Sequence, residues 1–358
     1  MKTEASMAQI EEKLYAIAGG IMENRDQSVF TARGGKHYME DWDWFQGVAL
    51  FGLFRMYEAT GNEKVWEYLT DWFDGHIKRG LPEKNVNSMC PLLTLTCMQE
   101  KRPRAEYAAL LREWADYAMH QLPRTLEGGF QHKTIDSDNY MQLWDDTLYM
   151  LVLFLAKYAL HTGDESMFQE TIRQFWVHMK YLTDRRTGLL HHGFNFDGMD
   201  DYGRIIWGRG NAWFTCALVE YLEMAPLPEG VRMTLVSALG RQAEALARFQ
   251  DGEGMWHTLV DEPDSYPESS ATAGFAYGLL KASRLGLIDG EKYAPAGIRG
   301  VSAILERIGK DGILTGVSAG TCLCADRDYY RSIRINAQPY GQALALHLLL
   351  EARNWTQN

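Results

Sequence analysis

Apolar side chains recur every three to four positions along most of the chain, the spacing that buries one face of an α-helix. Trp44–Tyr57 (WFQGVALFGLFRMY) shows it clearly. Similar stretches run at 62–78, 86–99, 103–121, 139–162, 164–183, 209–225, 229–249, 270–285, 289–309 and 337–353, with a weaker one near 6–20. About twelve helices are predicted, and no substantial sheet, because few segments alternate with period two. Inter-helix breaks repeat a phrase: Thr60-Gly61-Asn62-Glu63 and Thr162-Gly163-Asp164-Glu165 each end one helix on glycine and start the next on Asn or Asp. Asp289-Gly290-Glu291 echoes it, and Pro226-Leu227-Pro228 marks another break.

Paired helices of this number either close into a double-layered ring or stack as an open solenoid. No strict 34-residue period is visible, and no proline- or serine-rich linker divides the 358 residues. The expectation is an all-α fold, an (α/α)6 toroid of six hairpins, with residues 1–358 as a single catalytic domain.

Charge narrows the function. The chain has 36 basic and 47 acidic side chains, net −11, which argues against a nucleic-acid or anionic-membrane partner. No run approaches the ~20 apolar residues of a membrane helix, and charges interrupt every apolar stretch near the start, so a cytoplasmic protein is expected. The five cysteines (Cys90, Cys97, Cys216, Cys322, Cys324) read as reduced thiols. With no H-E-x-x-H and no paired C-x-x-C, neither metal nor cofactor is expected. Aromatic residues make up 12% of the chain, many of them beside polar residues, which suits stacking on sugar rings.

In a toroid the site forms where inner helices begin. Trp144-Asp145-Asp146-Thr147 puts two carboxyl groups inside what reads as a very apolar helix, where desolvation favours a proton donor. Trp207-Gly208-Arg209-Gly210-Asn211-Ala212-Trp213 gathers Arg, Asn and two indoles at a helix start. His132 and His192 stand in loops ahead of inner helices. Gly316-Val317-Ser318-Ala319-Gly320 fits a nucleophile elbow but lacks the parallel sheet that elbow requires, and Asp197, Asp200 and Asp201 read as a solvated turn.

Taken in order, W-x-W-x-Q-G at Trp42–Gly47, G-G-F-Q-H at 128–132, W-D-D-T-L-Y-M at 144–150, H-G-F at 192–194, W-G-R-G-N-A-W at 207–213, P-E-S-S-A-T-A at 267–273, G-V-S-A-G-T at 316–321 and P-Y-G-Q at 339–342 resemble glycoside hydrolase family 105. That family comprises the unsaturated rhamnogalacturonyl hydrolases and is related to family 88, the unsaturated glucuronyl hydrolases. The resemblance implies a six-hairpin barrel acting on small acidic oligosaccharides that carry a 4,5-unsaturated uronic acid. Such enzymes hydrate the enol ether instead of displacing at the anomeric carbon. By motif position Asp146 is the acid and then the base, with Asp145 the second choice. Arg209 is expected on the uronate carboxylate with His192 nearby. Trp44, Trp144, Trp207 and Trp213 are expected to wall the sugar, and His132 and Asn211 to hydrogen-bond it. Asn87 stands where relatives carry a second Asp, and can orient the sugar or Asp146. An inverting glycosidase pairing Asp146 with Glu268 or Asp197, roughly 6.5–9.5 Å apart, is one alternative. A sugar epimerase of the acylglucosamine type is another.

Overall fold

The computed structural model describes residues 5–23, 29–30, 36–37 and 39–356, with the backbone alone for 29–30 and 36–37. Among these residues there are thirteen α-helices: α1 (Met7–Glu23), α2 (Trp44–Thr60), α3 (Glu63–Arg79), α4 (Pro91–Lys101), α5 (Ala105–His120), α6 (Leu153–Thr162), α7 (Glu165–Leu182), α8 (Gly208–Met224), α9 (Glu229–Phe249), α10 (Ser269–Arg284), α11 (Gly290–Arg307), α12 (Arg327–Arg331) and α13 (Pro339–Ala352). Two short antiparallel pairs accompany them, β1 (Val29–Phe30) with β2 (Lys36–His37), and β3 (Gln142–Trp144) with β4 (Gly193–Asn195).

Helix contacts close a ring, α2–α4–α6–α8–α10–α13 and back to α2. Around it α3, α5, α7, α9, α11 and α1 pack on α2, α4, α6, α8, α10 and α13 in turn. This is the (α/α)6 toroid. Burial follows the layer: every residue of α8 from Gly208 to Leu222 is buried, whereas outer α3 buries one stripe through Val65, Trp66, Leu69, Trp72 and Phe73. The expected caps are present. Gly61 (φ 66°) and Gly163 (φ 74°) close α2 and α6 in the left-handed conformation, and Asn62, Asp164 and Asp289 cap the helices that follow.

The stretch 139–162 departs from expectation. Only its second half is helical, entered through a π-helical turn at Leu148–Val152. Asn139 and Met141 adopt positive φ (43° and 56°), and Gln142–Trp144 pair with Gly193–Asn195. Asp145 and Asp146 therefore occupy a turn between strand and helix, with the Asp145 amide donating to His192 O (3.0 Å). The short α12, in the long connection between α11 and α13, was also not predicted.

A buried polar cluster joins α8, α10 and α13 toward the end of the ring where the inner helices finish. Buried Lys281 of α10 lies 2.6 Å from Glu220 and 2.7 Å from Glu223 of α8, and Tyr277 donates to Glu220. The His347 ring of α13 packs on Tyr277.

Burial also sets a pH dependence. It lowers His76, His132 and His178 to about 4 and His347 to about 3. Each value lies below the ordinary 6.5, so between pH 6.5 and about 4 the unfolded chain binds protons that the folded chain refuses. Stability should be full above pH 6.5 and fall on acidification, by up to about 1.4 kcal/mol per pH unit per histidine. Urea midpoints at constant ionic strength check this. A midpoint unchanged from pH 7 to pH 5 would contradict it.

Candidate active site

The six inner helices start at one end of the ring, and a pocket opens there. Its lining includes Asp43, Trp44, Asn87, His132, the 134–139 loop, Trp144, Asp146 and Gly320–Cys322. Local structure explains each placement. Asp43 caps α2, accepting from Trp44 N (2.8 Å), so the helix start holds both residues at the mouth. Asn87 opens a 3-10 turn whose next residue, Ser88, accepts from Trp42 Nε1 through its carbonyl (2.6 Å).

Trp144 ends β3, and its ring stacks on His132 with centroids 4.3 Å apart and planes 6° apart. His132 Nδ1 in turn meets Thr147 Oγ1 at 2.8 Å. On the other side of Asp146, His192 Nε2 lies 3.4 Å from Asp146 Oδ2, a separation longer than a formed hydrogen bond and of the kind that tightens when substrate binds. His192 Nδ1 meets Tyr330 Oη at 2.6 Å. A tyrosine donating there leaves the proton of neutral imidazole on Nε2, facing Asp146. Burial lowers both histidines, His132 to about 4, so both are neutral near pH 7. For Asp146, burial pushes the carboxyl up, but the His192 Nε2–H beside it outweighs burial and holds the group below the usual carboxylate range.

Five expected substrate contacts lie behind this wall. His192, Trp207, Arg209, Asn211 and Trp213 are all buried and absent from the pocket lining. Arg209 was expected to grip the uronate carboxylate, yet its Nη atoms already donate to Ser318 O (3.0 Å), Ser318 Oγ, Ala319 O (2.8 Å) and Thr321 Oγ1 (3.0 Å). It holds up the 318–321 loop, which in turn forms one side of the pocket. Asn211 joins Leu190 through both ends of its amide and also donates to Trp207 O (2.9 Å). Trp213 packs edge-on beneath Trp44 (6.1 Å), which itself stacks on Tyr340 (4.6 Å). Trp207 supports the His192 ring (4.3 Å).

Sequence reasoning missed Asp43, Tyr330 and the 134–139 loop. Asp43 had a signal, since it sits between the two tryptophans of the W-x-W phrase at a helix start. Tyr330 had none, because α12 lies in an irregular stretch.

The family model described as Glycosyl Hydrolase Family 88 matches residues 16–355. The chain belongs to that family. It is a glycoside hydrolase, which removes the sugar-epimerase alternative. Similarity extends over the whole fold. The chain is 32% identical over 352 residues to the unsaturated rhamnogalacturonyl hydrolase YesR of Bacillus subtilis, covering 96% of this chain and 97% of that one. A crystal structure from Salmonella enterica serovar Paratyphi A, described as a possible member of the GH105 family, superposes with a TM-score of 0.94 at 36% identity, covering 99% of this chain and 96% of that one. A second such structure, from Klebsiella pneumoniae, gives 0.92 at 37%, covering 99% and 95%.

Within this family 88 member, Glu268 is no partner for Asp146. It is fully buried and caps α10, accepting from Ala271 N, Ser270 Oγ and Ser318 N, with Arg209 at 3.7 Å. Asp197 sits exposed in a turn outside the pocket. Ser318 is likewise a buried loop residue bonded to Arg209 and Glu268, not a nucleophile.

Proposed function

We propose that this glycoside hydrolase acts on small acidic oligosaccharides ending in a 4,5-unsaturated uronic acid, of the rhamnogalacturonan type, by hydrating the C4=C5 enol ether. The observation that carries the reading is Asp146, a carboxyl group set between two neutral imidazoles and an indole in the pocket that the six inner helices open into. The kinship with YesR supports it.

The chemistry asks for one acid and one base in succession. Asp146 gives a proton to C4, and the cation at C5 is stabilised by the ring oxygen. Asp146, now a carboxylate, takes a proton from the water that attacks C5, and the resulting hemiketal opens and releases the rest of the saccharide. The inner-helix N-termini present positive partial charge to an anionic uronate. We place its carboxylate against the Gly320–Thr321 wall, with the Arg209 charge behind it. Trp44 and Trp144 take the apolar ring faces, while His132 and Asn87 take hydroxyls. His192, Trp207, Arg209, Asn211 and Trp213 act on substrate through the groups they hold. Neither a metal nor a cofactor enters these steps, and a cytoplasmic location completes the proposal.

The expected result is decay of the near-ultraviolet absorbance of the double bond when the enzyme meets a pectin-derived unsaturated disaccharide. Asp43 and Asp136 share the pocket with Asp146, so an inverting reaction with two carboxyl groups is the second reading. Release of sugar from saturated substrates with the chromophore untouched would favour it and reject hydration.

A further inference from the structure

Asp145 stands directly before Asp146 and outside the pocket lining. It is fully buried, and neither carboxyl oxygen has a hydrogen-bond donor among the described residues. One side-chain atom each of Asp145, Asp146 and His192 comes within 4.8 Å of the others. The Asp145 carboxyl packs on the first turn of α8, where a Cβ on Gly210 would stand 2.2 Å from its Oδ2, so the glycine is what makes room for it. The titratable and charged groups around it are Asp146 on its own turn, His192 ahead of β4, Arg209 beside Gly210 on α8, Tyr330 on α12 and, beyond Asp146, His132. A buried carboxylate without donors is costly. A carboxylic acid there costs less and brings a donor of its own, with the Asp146 carboxylate beside it as acceptor.

We propose that Asp145 is a positioning residue that stores the working proton, the two aspartates sharing one proton that rests on Asp145 and moves to Asp146 when the substrate binds. The inference rests on the hydration reading and supplies what that reading needs. An Asp146 carboxyl held below the usual carboxylate range is ionised at pH 7 and has no proton of its own to give. Burial and the neighbouring Asp146 charge push the Asp145 carboxyl well above the usual range, in agreement with a stored proton. The cycle balances. Asp145–COOH and Asp146–COO⁻ become Asp145–COO⁻ and Asp146–COOH, Asp146 protonates C4, water adding at C5 returns a proton to Asp146, and that proton passes back to Asp145. The macroscopic steps belong to the pair, as in other carboxyl dyads.

Asp145→Asn is the test, because it keeps shape and a donor but cannot release a proton. The rate at pH 7 should fall about 100-fold while the rate at pH 5 falls less than about tenfold, moving the alkaline limb of kcat/KM down by more than one pH unit. Asp145→Leu should shift the limb in the same direction and provides the reading if the Asn variant does not fold. A pH profile parallel to that of the wild type would overturn the proposal, as would activity lost to a chelator and restored by a divalent cation. Infrared difference spectra need no substrate. A protonated-carboxyl band at neutral pH in the wild type, missing from Asp145→Asn, supports the stored proton even if the unsaturated disaccharide proves not to be the substrate, and its absence from the wild type overturns it.

Discussion

Replacing Asp146 by asparagine is expected to lower kcat on an unsaturated uronyl disaccharide by about 10³–10⁴-fold, the upper range for loss of a group that serves as both acid and base. Asparagine keeps the shape, and the Asp146 carbonyl that accepts from Tyr149 N and Met150 N is untouched by the change, so the start of α6 should hold. Melting temperature and KM should therefore stay close to those of the wild type. A variant that turns over at the normal rate would remove Asp146 from the chemistry, and the reading of the pocket with it.

Arg209→Met is expected to cost about 3–5 kcal/mol of folding stability, the usual penalty for deleting one member of a buried charged cluster. The guanidinium serves two carbonyls and two hydroxyls of the 318–321 loop and balances Glu268, and neither Arg209 nor Glu268 is exposed. Methionine fills part of the volume but leaves Ser318 O and Ala319 O without this donor. Because that loop forms a wall of the pocket, kcat/KM should fall together with the urea midpoint. If instead KM rose while stability stayed unchanged, the guanidinium would be turned toward the ligand, as the motif alone suggested.

That contrast shows what could be read from residue order and what could not. Wherever one short-range interaction decides an outcome, the reading held: the Gly61–Asn62 and Gly163–Asp164 breaks cap helices as expected, and the apolar period marks the inner and outer layers. It failed where distant segments compete with local preference. Residues 142–144 carry a helical pattern, yet pairing with 193–195 draws them into a strand and turns Asp145 and Asp146 out of the helix. Motif membership likewise identified the Trp207–Trp213 segment as important but not which way its side chains face. Arg209 meets residues more than a hundred positions later in the chain, a distance over which no local pattern carries information.

The cluster of Lys281, Glu220, Glu223, Tyr277 and His347 lashes α8, α10 and α13 together at the end of the ring away from the pocket. Losing any one member would strand its partner's charge among apolar helices, so a single polar change there loosens three staves of the ring at once.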